Sequence, residues 1–298
     1  MALIGPAWVV RGVGQALLDR GFAVRVLALD AETEAAARGL KADAGALAIQ
    51  TGSLERDEDL ARLCEGLKGL AYLSPVGLTG RAWRPESHLE DLKRLLAAAE
   101  DRKVERFAYL STLAADPAAQ VRCLREAAEG EKLVHASRVA DYMFRSAPLM
   151  GPGDDLVAGK LKAARGGGPL MFVWGYSGTT LQPLHVEDLG RCLARAFTKH
   201  MDDLQPGVYA LAGQETVTEL ELTDMLLAHE RLFKLKLHAP LFMLRMARSL
   251  RAGGPAFWDR IALLSAAFFT DRNDAPRILG PQSRMKGLPQ TFRELAGA

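Results

Sequence analysis

The feature that most constrains this chain is an alternation of short apolar runs with longer amphipathic stretches through its first half. The runs are AVRVLAL (23–29), ALAIQ (46–50), LAYLS (70–74), FAYLST (107–112) and YMFRSA (142–147). Most are apolar at nearly every position rather than every second one, the pattern of strands covered on both faces. Between them, LEDLKRLLAAAEDRK (89–103) sets Leu89, Leu92, Leu95, Leu96 and Ala99 on one helical stripe with charges opposite. Strand and helix repeated in this way predict an α/β fold with a doubly wound parallel sheet. After MGPGDDLVAGK the alternation weakens, and 217–270 reads mainly as helices rich in Leu, Phe and Met. The expected organisation is an α/β domain over 1–150, followed by a C-terminal part over 151–298 that carries a smaller, mainly helical lobe.

The 298 residues, 49% hydrophobic and 25% charged, suffice for a full core. Thirty-eight basic against thirty-six acidic residues leave a formal charge of +2, so no overall field points to nucleic acid. Cys64, Cys123 and Cys192 are widely spaced and form no metal-ligand pattern, which fits small buried fillers in a reducing compartment. No run of eighteen apolar residues spans a bilayer. Only MALI stands where a first strand needs about five residues, so that strand is short or residues precede it. The opening also lacks the Arg- and Ser-rich character of a presequence, so an imported protein would be represented here in mature form.

The turn after that strand decides what a doubly wound sheet can bind. A Rossmann turn needs glycines for a tight bend, for close approach of backbone to a pyrophosphate, and for helix packing. Gly5, Gly12 and Gly14 fit neither G-x-G-x-x-G nor G-x-x-G-x-x-G, and the last two lie inside a helix expected to end at Gly21.

Other blocks carry a resemblance. ERFAYLSTLAAD, REAAEGEKLV, FRSAPLMGPGDD, LQPLHVEDLGRCLARAF and the late FFTDRNDA resemble, in order and spacing, an atypical branch of the short-chain dehydrogenase/reductase (SDR) family. That branch holds the SDR-like accessory subunit of mitochondrial respiratory complex I and its bacterial relatives. The resemblance places the three loop glycines on Ile4, Ala7 and Val10, with Gly5 one residue out of register. It puts Leu29, followed by Asp30, where an Arg meets the NADPH 2′-phosphate, and Ser53 where an Asp contacts adenine. The general-acid Tyr falls on Cys123 and its Lys on Ala127, while the substrate-orienting Ser persists as Ser111. If a dinucleotide is retained, the residues implied to hold it are Gly5, Ala7, Trp8, Val9, Val10, Leu29, Asp30, Ser53, Ser74 and Ser111. No cofactor is expected, with NADPH as the candidate should one bind. Tyr109 and Tyr142, inside strand runs, read as packing residues, and Lys132 as a solvated helix charge.

His185 with Glu187 and Asp188 lacks the i, i+4 face of a helical metal motif, and Asp188 reads as an N-terminal helix charge. ARGGGPL (164–170) has no following G-K-[ST] and reads as a linker between lobes. One positive feature remains. In 232–254, Lys234, Lys236, Arg245, Arg248 and Arg251 accompany Phe233, Leu237, Leu241, Phe242, Leu244 and Met246. Such a pattern suits anionic lipid or a partner surface, and Arg245, Arg248, Arg251, Phe242 and Leu241 are its interface candidates; a small-lobe core with solvated arginines is the competing reading.

The resulting expectation is a catalytically inactive SDR-like accessory subunit of complex I. It would sit peripherally on the matrix side of the mitochondrial inner membrane, among other subunits of that assembly. A free-standing NAD(P)H-dependent reductase or isomerase and a non-catalytic dinucleotide-binding regulator are the alternatives.

Overall fold

The apolar runs pair in parallel into a single sheet. In the computed structural model, which describes residues 1–74, 87–119, 121–166, 168–174, 180–198, 204–239, 263 and 268–296, strands and helices alternate through the first half. They are β1 (Ala2–Ile4), α1 (Ala7–Leu18), β2 (Val24–Ala28), α2 (Ala31–Arg38), β3 (Leu47–Thr51), α3 (Asp57–Cys64), β4 (Gly69–Tyr72), α4 (His88–Asp101), β5 (Arg106–Thr112), α5 (Arg122–His135) and β6 (Ala140–Ser146). The rest comprises β7 (Leu149–Met150), α6 (Val157–Arg165), β8 (Leu170–Trp174), β9 (Thr180–Leu181), β10 (Leu184–His185), α7 (Val186–Phe197), β11 (Gly207–Leu211), β12 (Val217–Thr218), α8 (Glu219–His229), β13 (Leu235–Ala239), α9 (Ala275–Leu279) and α10 (Leu288–Ala296).

Seven strands form the main sheet in the order β3-β2-β1-β4-β5-β6-β11, every pair parallel. Winding reverses between β1 and β4, which opens a crevice outside their carboxyl ends. Alternate strand residues feed two cores. Leu3, Val26, Leu110 and Phe144 pack with Val9, Val10 and Val13 of α1 and Leu189 and Leu193 of α7. Ile4, Leu27, Phe107 and Tyr109 pack on the other face with Leu60 of α3, Leu92 and Leu95 of α4 and Val134 of α5. Burying one such aliphatic side chain contributes about 1.5–3 kcal/mol, so both faces hold the sheet. Helix α1 stops where expected: Gly21 takes φ +77, a left-handed conformation that favours glycine.

Within 217–270, expected to be mainly helical, the described residues hold helix α8 and one departure from that expectation, while 240–262 and 264–267 lie outside the described residues. Helix α8 is followed by β13, which pairs in parallel with β8. The reason lies in FKLKL, where apolar and charged residues alternate with the period of a strand. Phe233, Leu235 and Leu237 are exposed, Lys236 reaches Asp224, and the buried Lys234 donates from Nζ to Gly166 O at 2.7 Å. The stretch 164–170 joins α6 to β8. A third core of Leu161, Leu222, Leu226, Phe268, Phe292 and Leu295 underlies this region. Strand β11 extends the main sheet, and α7 lies directly on α1: a Cβ on Gly190 would come within 2.7 Å of Ala16 Cβ. The candidates Leu241, Phe242, Arg245, Arg248 and Arg251 lie outside the described residues.

Candidate functional site

The carboxyl edge of the sheet gathers residues that are far apart in sequence. Gly5 and Ala7 follow β1, Leu29 and Asp30 follow β2, Ser53 follows β3, Ser74 follows β4, and Ser111 lies near the end of β5. Val9 and Val10 face the core with no exposed surface, while Trp8 is half-buried.

The turn is short. Only Gly5 and Pro6 connect β1 to α1. Pro6 is the N-cap residue and has no N–H to offer; its carbonyl accepts from Val9 N at 3.0 Å and Val10 N at 2.9 Å. Gly5 is required by packing, since a Cβ there would lie 2.7 Å from Leu73 O. A helix N-terminus attracts anions through uncommitted amides, and here the first turn is approached by the loop after β7: a Cβ on Gly153 would come within 2.9 Å of Trp8 Cβ. Asp154 fixes that loop by accepting from Gly151 N at 2.9 Å and Val157 N at 2.5 Å. This turn does not supply the glycine-lined cradle that a pyrophosphate needs.

The flanking positions are also committed. Asp30 is the N-cap of α2, accepting from Thr33 N at 2.6 Å. Leu29 packs against the core that includes Leu27 and Leu54. Ser53 N donates to Asp59 at 2.8 Å, and its hydroxyl accepts from Glu55 N at 3.1 Å. Leu29 and Asp30 provide no cation for a 2′-phosphate.

On α5, one stripe reads Cys123, Ala127 and Glu131 at four-residue intervals. Glu131 is buried and receives two bonds from the Arg145 guanidinium, Nε at 2.8 Å and Nη2 at 2.5 Å. Paired donors of this kind are strong, and they hold the Arg145 pKa above its ordinary value. Ser111 Oγ donates to Glu131 Oε1 at 2.5 Å. Its single proton is therefore used within the protein rather than presented to a carbonyl substrate. No motif marks Glu131 and Arg145 in the sequence, although a charge inside the buried run YMFRSA is a legible sign of a partner.

Deeper in the sheet, His88 links two phenols. Tyr72 Oη lies 3.2 Å from His88 Nδ1, and Tyr109 Oη lies 2.9 Å from His88 Nε2. All three rings are buried and stacked. Burial pushes the imidazole down to about 4, against a smaller opposing pull from Asp91. It also raises the Tyr109 hydroxyl well above the usual phenol range. An internal network satisfied in this way confers rigidity and has no exposed proton donor.

His185 is the N-cap of α7, its Nδ1 accepting from Glu187 N at 3.3 Å. Its Nε2 lies 3.2 Å from Glu294 but off the hydrogen-bond direction. Asp188, in the first turn of α7, accepts from Arg191 and from Lys286 N, each at 2.7 Å. These groups pin α10 to the start of α7. Among the described residues no cluster of His, Cys, Asp and Glu is arranged to hold a metal, and no helix is long and apolar enough to cross a membrane. Cys64 and Cys192 are buried, Cys123 half-buried, and burial pushes the Cys64 thiol up to about 11.

A parallel sheet with this strand order and a crevice at the β1/β4 reversal defines a Rossmann-like α/β protein, the architecture of NAD(P)-binding reductases and epimerases. The chain superposes over 99% of its length on all of an NADPH-dependent quinone oxidoreductase from Escherichia coli solved with NADPH (TM-score 0.74, 16% identity). A triphenylmethane reductase from Citrobacter sp. complexed with NADP(H) gives 0.71 at 14% identity, covering 99% of this chain and 100% of that one. A nucleoside-diphosphate-sugar epimerase from Staphylococcus aureus gives 0.71 at 12%, covering 98% and 99%. Among curated proteins, the mitochondrial 40 kDa subunit of NADH-ubiquinone oxidoreductase from Neurospora crassa is 26% identical over 138 residues. That match covers 46% of this chain and spans 35% of the relative's length. No family model matches.

Proposed function

We propose that this chain is a catalytically inactive, SDR-like accessory subunit of mitochondrial respiratory complex I, acting by surface burial and scaffolding on the matrix side of the inner membrane. The observation that carries the reading is the site itself. A two-residue Gly5-Pro6 turn, capped by a proline and approached by Gly153 at Trp8, stands where a dinucleotide loop belongs. Beside it Ser111 is spent on Glu131, with Cys123 and Ala127 on the helix that would carry a Tyr/Lys pair. Similarity to a fungal complex I subunit supports the choice of assembly. The β8–β13 ribbon supports a partner surface: Leu170, Phe233, Leu235 and Leu237 are exposed, Phe233 at 97%. Contiguous apolar exposure of this kind marks interaction sites.

The experiment is native purification from the source membrane, followed by mass spectrometry of what travels with the chain. Co-migration with NADH dehydrogenase subunits at a fixed ratio is expected. Recovery as a soluble monomer without partners would refute the reading.

A further inference from the structure

The β8–β13 ribbon ends in an exposed apolar tip. Its two strands run parallel, so the segments that lead into them from α6 and α8 meet at one end. Two contacts join these segments: Lys234 Nζ donates to Gly166 O at 2.7 Å, and the Arg165 guanidinium bonds Glu230 at 2.7 and 3.1 Å. Helix α8 stops through Arg231 at φ +55, a left-handed conformation that favours glycine, with Leu232 N donating to Leu227 O. The chain then turns outward, and Phe233 stands 97% exposed beside the exposed Leu232. Leu235 pairs in register with Leu170, so the two share a face and extend the apolar surface, at 59% and 44% exposure. The opposite face turns inward: Met171 is buried, and its register partner Lys236 reaches Asp224 on α8.

The tip is cationic once the carboxylates around it are counted. Glu230 answers Arg165, and Asp224 answers Lys236. Glu219 pairs with Lys160, and Glu221 belongs to the capping box at the far end of α8. Helix α10 reaches His229 through Phe292, and its Glu294 is taken by Lys286. Lys162, in the last turn of α6, Arg231 and Lys234 are left over, the first two exposed. The bond from Lys234 to a neutral carbonyl does not cancel its charge.

We propose that this tip seats the chain on an anionic bilayer surface, an inference that rests on the reading of the chain as a peripheral subunit and names what holds it there. Phe233 and Leu235 enter the boundary between head groups and acyl chains, while Lys162, Arg231 and Lys234 meet lipid phosphates. Apolar side chains accompanied by cations are the chemistry of interfacial binding. Shape favours lipid over protein. A side chain that touches almost nothing of its own chain protrudes, and a bilayer closes around it, whereas a protein must offer a fitted pocket. A second copy of the chain would set like charges against each other.

The test floats the full chain with phosphatidylcholine vesicles, with and without phosphatidylglycerol. Binding is expected with the anionic lipid and should weaken as salt is added. Phe233→Ser should lower the partition coefficient about tenfold or more, and Arg231→Gln about fivefold. Phe233→Trp gives a direct reading: the added indole emission should shift to the blue on binding and be quenched by bromine-labelled acyl chains. Equal partition with and without phosphatidylglycerol overturns the proposal, as does undiminished vesicle binding by the Phe233→Ser, Leu235→Ser double variant. Failure of the assembly reading is distinguishable from failure of this one. If the chain purifies with respiratory subunits, ignores vesicles, and loses those subunits in the double variant, the tip meets protein and the lipid proposal alone falls. Tip-dependent vesicle binding by a chain that purifies without partners supports the lipid proposal and removes the assembly.

Discussion

Supplied with NADH or NADPH and a panel of carbonyl and quinone acceptors, the purified protein should show no hydride transfer above the rate in buffer. General acid catalysis by a positioned side chain contributes about 10²–10⁴-fold, and the helix implied to carry it presents Cys123 and Ala127. The remaining hydroxyl, Ser111, donates to a carboxylate already doubly bonded by Arg145. Placing Tyr and Lys back at 123 and 127 should not restore turnover, because the Gly5-Pro6 turn would be unchanged. Steady oxidation of either cofactor that disappears in Ser111→Ala would overturn this expectation.

Acidification should destabilise the protein through His88. The unfolded imidazole titrates near 6.5, whereas in the folded state burial holds it down to about 4. The unfolded chain therefore binds the proton first. The stability contributed by neutral His88 is complete above pH 6.5 and is lost as pH falls toward 4, by roughly 3 kcal/mol at about 1.4 kcal/mol per pH unit. Asp154 works in the opposite direction, since burial pushes its carboxyl up to about 6 and its contribution is lost as pH rises through that value. His185, also lowered by burial, has the same sign as His88. The measurement is therefore a difference: urea unfolding from pH 7.5 to 4.5 for the wild type and for His88→Gln, which keeps hydrogen-bonding groups but does not titrate. The wild type should lose more stability than the variant across that interval. Parallel curves would show that the imidazole is not held neutral.

Much of this architecture is legible in the chain because its local patterns agree with one another. The runs at 23–29 and 107–112 become β2 and β5 within a residue or two, the stripe through Leu92 and Leu95 becomes α4, and Gly21 ends α1 with positive φ. The region after α8 is harder to read: by composition its leucines and lysines suit a helix, whereas their alternation puts them in β13. Within the site, the residue type at a single position could be read, as at Cys123 and Ala127 on α5. What fills the place could not, because Ser111, Glu131 and Arg145 belong to three elements and meet only when β5, α5 and β6 pack. His88 was missed for the same reason, although it shares a helical stripe with Leu92 and Leu95.

The central claim is that the crevice has lost its dinucleotide, and the most direct test is the nucleotide content of protein purified natively without added cofactor. After acid release and mass spectrometry, the account predicts far less than one NAD(H) or NADP(H) per chain. Added NADPH should likewise leave the melting curve unmoved, whereas a ligand at a hundredfold above its Kd adds about 2.7 kcal/mol. One dinucleotide recovered per chain would contradict the account and return the protein to the dinucleotide-binding members of its fold.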